Sequence, residues 1–127
     1  MNNTNVSRRL TKQKSAILEY LKSTKTHPDA ETVYEVIKEK LPNISLSTVY
    51  RNLSLMSEEG LILKLTPGGL SDHFDGDISQ HQHFICNDRR RIVDVMCEID
   101  LKDKDFGEIF SYSVYFYGIC KECKCKK

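Results

Sequence analysis

The chain has 127 residues, 39% of them hydrophobic, and a formal net charge of +1. That is enough apolar material for a modest core in one domain or two very small ones, and modules of this size commonly depend on a metal or a partner subunit. No apolar run reaches membrane-spanning length and no secretory leader is visible, so the cytoplasm is the expected compartment. The charge is unevenly spread. Residues 1–70 hold ten Lys/Arg against seven Asp/Glu, and residues 71–127 hold nine against eleven. The basic front end fits phosphate contacts, although a solvated surface of mixed charge has the same composition.

In chain order, residues 10–23 have a helical pattern in which Leu10, Ile17, Leu18 and Leu21 share a face, with Ser7 or Thr11 as the cap. His27-Pro28-Asp29 interrupts it. Asp29 then caps a second helix carrying Ala30, Val33, Tyr34, Ile37 and Leu41 at helical spacing, and Pro42 stops it. Ser45 or Ser47 opens a third helix. Leu46, Val49, Leu53 and Met56 face inward there, and Gly60 ends it. Residues 61–65 and 70–74 flank Thr66-Pro-Gly-Gly69 and predict a hairpin. Three helices and a hairpin make a winged-helix pattern, with the third helix entering the major groove. Residues 67–72 are the expected linker. Beyond it, residues 82–86, 91–95 and 112–117 predict strands, and residues 101–110 a short helix. The expected fold class is α+β: an N-terminal winged helix-turn-helix over residues 1–70 followed by a small α/β domain over residues 71–127.

The outward face of the third helix carries Ser47, Tyr50, Arg51 and Ser54, whose hydroxyls and guanidinium suit bases and phosphates. An ordinary amphipathic core helix is the competing reading. His27, Asp75, His81, His83 and Asp94 are all nitrogen or oxygen donors, a set that suits ferrous iron, manganese or zinc. On a strand, His81 and His83 place both imidazoles on one face. Asp75 and Asp94 could complete a pocket, and His27 would come from the other domain. Metal affinity would then depend on the angle between the domains. Of five cysteines, Cys120 and Cys123 form a CxxC pair that fits zinc, redox chemistry or chance. A structural zinc normally takes four ligands; Cys86 is a sensible third and the fourth is open. A thiol redox enzyme wants its CxxC at a helix start beside a βαβ unit. Here the pair lies at a lysine-rich terminus that reads as frayed.

Taken together, His27-Pro-Asp-Ala-Glu-Thr-Val-Tyr34, Ser47-Thr-Val-Tyr-Arg-Asn-Leu53, Glu59-Gly-Leu61, His73-Phe-Asp-Gly-Asp77 and His81-Gln-His-Phe-Ile-Cys86 closely resemble the ferric uptake regulator family. The likeness runs from residue 10 to residue 94, with Cys120 and Cys123 as a further anchor. Within the family the chain is most similar to the peroxide-responsive repressor branch. By motif position the resemblance implies a regulatory Fe(II) or Mn(II) held by His27, Asp75, His81, His83 and Asp94. It also implies homodimers on palindromic double-stranded DNA, with residues 71–127 binding metal and pairing the subunits. DNA would be contacted through Lys14, Ser47, Thr48, Tyr50 and Arg51. Peroxide meeting bound ferrous iron would oxidise His27 or His81 and release the DNA. Nothing points to a membrane, to a small organic substrate or to catalysis as an enzyme.

Two departures stand out. Arg89 occupies the position of the second cysteine in the family's first CxxC. A Zn(II) site on Cys86, Cys120 and Cys123 would close with Cys97, Cys125 or water, or else the thiols are free. Only eighteen residues separate Leu101 from Cys120, so the dimerisation half is abbreviated. The alternatives are an iron- or zinc-availability sensor of the same family, a family member that binds DNA without responding to metal, and a small CxxC redox protein. The iron-sensing branch more often has Glu in place of Asp75 and adds later histidines, whereas no histidine follows His83.

Overall fold

Three capped helices and a hairpin build the first of two compact units in the computed structural model, which describes residues 11–99, 106–110 and 112–125. The units are Met1–Ile78 and Ser79–Lys127. Helix α1 (Lys12–Ser23) starts where the Thr11 hydroxyl accepts the Lys14 N–H at 3.1 Å. Helix α2 (Ala30–Ile37) starts where the Asp29 carboxylate accepts the Thr32 N–H at 2.9 Å. Helix α3 (Leu46–Glu58) starts where the Ser45 hydroxyl accepts the Thr48 N–H at 3.1 Å. Of the alternative caps, Thr11 and Ser45 are therefore the ones used; Ser7 and Leu10 lie outside the described residues. Helix α2 ends at Ile37, ahead of Pro42, so Leu41 sits on the following turn. At the end of α3 the Leu61 N–H reaches the Met56 carbonyl and the Gly60 N–H reaches that of Ser57, with Gly60 at φ 81°. This is the left-handed helix stop that favours glycine.

The apolar stripes of the three helices meet in one core, where Ile17, Leu21, Val33, Ile37, Val49, Leu53 and Met56 are buried. Strands β1 (Leu63–Leu65) and β2 (His73–Asp75) pair antiparallel, Leu63 opposite Asp75 and Leu65 opposite His73. Strand β2 begins three residues later than the pattern predicts, because residues 66–72 form a longer connection. Those residues include the stretch read as a linker; they join paired strands, and the first unit runs on to Ile78. The far side of β2 meets the α1–α2 connection: the Phe74 N–H donates to the Pro28 carbonyl at 3.0 Å, and Asp29 bridges to His73. Gly76 follows at a close approach. A Cβ there would lie 2.6 Å from the carbonyl carbon and oxygen of Leu21.

In the second unit β3 (Gln82–Cys86) is the centre of a sheet ordered β4-β3-β5, with β4 at Arg91–Val95 and β5 at Tyr115–Gly118. Strand β4 runs antiparallel to β3 with Asp94 opposite His83 and Arg91 opposite Cys86. Strand β5 runs parallel to β3, with Tyr115 beside His83 and Gly118 beside Cys86. The aromatic run predicts a strand from residue 112, but the regular ladder begins at Tyr115. Helix α4 (Lys121–Cys125) closes the described chain. Residues 101–105 of the expected short helix lie outside the described residues, and residues 106–110 are not helical. Side chains alternate across a strand, so His83 and Asp94 share one face of the sheet while Cys86 and Arg91 share the other.

Candidate metal centres

On the first of those faces, Asp94 Oδ1 lies 3.1 Å from His81 Nε2 and 3.5 Å from His83 Nε2. The two rings are 4.6 Å apart and tilted by 55°. His81 Nδ1 is 2.7 Å from the Ser79 carbonyl. A carbonyl only accepts, so Nδ1 carries the proton, and in the neutral ring the lone pair sits on Nε2, the atom facing Asp94. A backbone acceptor behind an imidazole is how a ligating ring is commonly oriented. Both histidines are buried.

The other two donors meet within the first unit. His27 Nε2 lies 3.4 Å from Asp75 Oδ2, and both residues are buried. Asp75 is thus on the wing's return strand, in the same unit as His27, rather than in the second domain where the sequence boundary placed it. Its other oxygen, Oδ1, accepts the Asp77 N–H at 2.9 Å, which turns Oδ2 toward the imidazole. The backbone of His27 is left-handed at φ 54°, uncommon for a residue with a side chain and costing about 1–3 kcal/mol. Each half-set therefore holds imidazole nitrogen against carboxylate oxygen at 3.1–3.5 Å. Ligands bonded at roughly 2.0–2.2 Å to one ion have about this separation, and the donor chemistry fits a divalent metal.

The opposite sheet face carries sulfur. Cys86, Cys120 and Cys123 are buried, and their sulfurs lie within 4.8 Å of one another. Cys86 Sγ is 3.6 Å from Cys123 Sγ and accepts the Cys120 N–H at 3.4 Å. Two thiolates on a tetrahedral zinc with bonds of about 2.3 Å are separated by roughly 3.8 Å, so the spacing fits. Hydrogen bonds from the backbone N–H groups of Cys120 and Arg89 hold the Cys86 thiol down at about 6, whereas burial pushes Cys123 up to about 11. Neither proposed fourth thiol joins them. Cys97 is exposed and donates through its N–H and its thiol to Gln82 Oε1, at 3.2 and 3.3 Å; Cys125 is exposed. The CxxC pair does not lie on a frayed terminus: Cys120 immediately precedes α4 and Cys123 lies within it.

Ser47, Tyr50 and Arg51 are exposed on α3, and Thr48 is half-buried, its hydroxyl accepting that of Ser45 at 2.8 Å. Lys14 differs from the other predicted DNA contacts. It is buried, with Nζ 3.5 Å from Glu59 Oε1. Gln82, fully buried and holding Cys97, was not singled out by the sequence. Neither was Ser79, whose carbonyl faces His81 Nδ1, a backbone contact that leaves no signal in the sequence.

A winged helix followed by a small sheet bearing imidazole–carboxylate and thiol clusters defines a metal-responsive regulator. The chain belongs to the ferric uptake regulator family, whose model matches residues 5–109. It is 38% identical to the peroxide operon regulator of Bacillus subtilis, over 94% of this chain and 86% of that one. It is also 38% identical to the peroxide-responsive repressor PerR of Staphylococcus aureus, over 93% and 84%. The Campylobacter jejuni peroxide stress regulator superposes with a TM-score of 0.73 at 29% identity, over 87% of this chain and 88% of that one. The chain is accordingly a metal-dependent transcriptional regulator and not an enzyme. Family members bind DNA and act as dimers. Among the described residues, no helix is long and apolar enough to cross a membrane.

Proposed function

We propose that the chain is a peroxide-responsive repressor whose homodimer holds a palindromic operator while one Fe(II) or Mn(II) ion is bound. His27 and Asp75 of the first unit would grip that ion together with His81, His83 and Asp94 of the second. The reading is carried by the two half-sets, each of which already faces a buried imidazole nitrogen toward a carboxylate oxygen. Ligands contributed by both units make occupancy depend on their mutual arrangement, and hence couple metal to DNA affinity. Helix α3 presents Ser47, Tyr50 and Arg51 to the major groove, with Thr48 beside them. The first unit reads DNA, and residues 79–127 pair the subunits.

When bound, ferrous iron supplies the electrons that cleave peroxide. By motif position, His27 and His81 are the imidazoles that would gain oxygen, weakening the grip. His83→Ala should abolish metal-dependent DNA binding in a fluorescence anisotropy titration; unchanged, metal-tuned affinity would refute the assignment. Mass spectrometry of the iron form after peroxide should find one added oxygen atom on His27 or His81. An unmodified protein that still releases DNA when metal is withdrawn would make this a sensor of metal availability instead.

A further inference from the structure

The thiol face of the sheet departs from a closed zinc site in a specific way. Arg89, where a fourth thiolate would stand, sends Nη1 to 3.6 Å from Glu122 Oε1, and Arg91 reaches the same oxygen at 2.7 Å. Cys97 is held by Gln82, Cys125 is exposed, and among the described residues no fourth donor joins the three sulfurs. Space for an outside ligand adjoins them. A largely apolar cavity of about 520 Å³ is lined by Phe84, Val93, Val95 and Ile119, and by Cys120 itself. That volume lies within the range that takes a small organic molecule.

We propose that Cys86, Cys120 and Cys123 form an open three-thiolate site for a thiophilic divalent ion, whose fourth position is taken by a small thiol from outside the chain, in exchange with water. This rests on reading the three thiols as a metal site. Three thiolates leave a divalent ion at net −1, and a tetrahedral ion with only three protein ligands keeps one position for an outside molecule. Entry of a thiol replaces one metal–oxygen bond by one metal–sulfur bond, releases the displaced water and sends the thiol proton to solvent. No electron is transferred. Three thiolates also hold the ion less firmly than four, so it should exchange with chelators.

The test loads the full chain with Co(II) and follows the thiolate-to-cobalt charge-transfer bands during titration with 2-mercaptoethanol. Nitrogen and oxygen donors give no such bands, so the imidazole–carboxylate donors do not interfere. The expected result is a saturable rise of about a third in band intensity, as three sulfur ligands become four. Cys97→Ser and Cys125→Ser should behave as the wild type. Arg89→Cys should start at the higher intensity, ignore added thiol and lose cobalt more slowly to a chelator. A wild-type spectrum already at the four-sulfur intensity and deaf to thiol would show that the chain supplies its own fourth ligand, and would overturn the proposal. Bleaching on thiol addition would mean that thiols strip the ion rather than join it, and would overturn the proposal equally. Absence of charge-transfer bands altogether would remove the metal reading on which the proposal rests.

Discussion

His27 combines a left-handed backbone with a buried imidazole, and the two properties are separable by mutation. His27→Ala and His27→Gly both lose the ring, but only alanine keeps the backbone cost. In the metal-free chain the glycine variant should therefore be the more stable by about 1 kcal/mol in urea titrations. Gly76 makes the opposite case. A methyl there would meet the Leu21 backbone at 2.6 Å, and backbone cannot swing aside. Gly76→Ala should cost roughly 2–3 kcal/mol by the same measurement. The donor types were legible in the sequence because imidazoles and carboxylates announce themselves at fixed spacing. The partner of each was less so: Asp75 meets His27 only because β2 folds back on the Pro28 carbonyl. The pairing of Lys14 with Glu59 was illegible for a related reason, since it joins α1 to the end of α3 across a distance that periodicity does not see.

The helices were the most readable elements, because caps and apolar spacing are local signals. Asp29 illustrates this. Burial alone would raise its carboxyl, but the N–H and hydroxyl of Thr32 and the nearby His73 outweigh that and hold it below its ordinary 3.8. A depressed folded value means that its stabilising effect is complete above 3.8 and is lost as pH falls through the lower folded value. Asp29→Ala should cost about 1 kcal/mol at neutral pH. Asp29→Asn should keep most of the cap while flattening the acid limb of the stability profile, checked by urea titrations across the acid range. The sheet was read less well. Aromatic residues favour strand all along 112–117, but where the ladder starts is set by parallel pairing with β3, a contact distant in sequence.

At the scale of the molecule, the second unit leaves large apolar side chains in water: Met96 is 65% exposed, Phe106 71% and Phe110 90%. Exposed apolar side chains of this size are candidates for the surface that would pair subunits in the proposed homodimer. Phe110→Asp should shift the protein toward monomer in analytical ultracentrifugation and weaken operator binding, leaving the cobalt charge-transfer bands in place. The short stretch before Cys120 still contributes a strand to the sheet, because β5 joins β3 directly, and α4 follows Cys120 at once.

The proposal that one manganese ion takes ligands from both units is tested by counting those ligands. Pulsed EPR of the Mn(II)-loaded chain, with histidine labelled by nitrogen-15, reports the number of coupled imidazoles. Coupling to His27, His81 and His83 is the expected result, with one ring lost in His27→Ala and one in His83→Ala. A count that His27→Ala leaves untouched would contradict the shared ion.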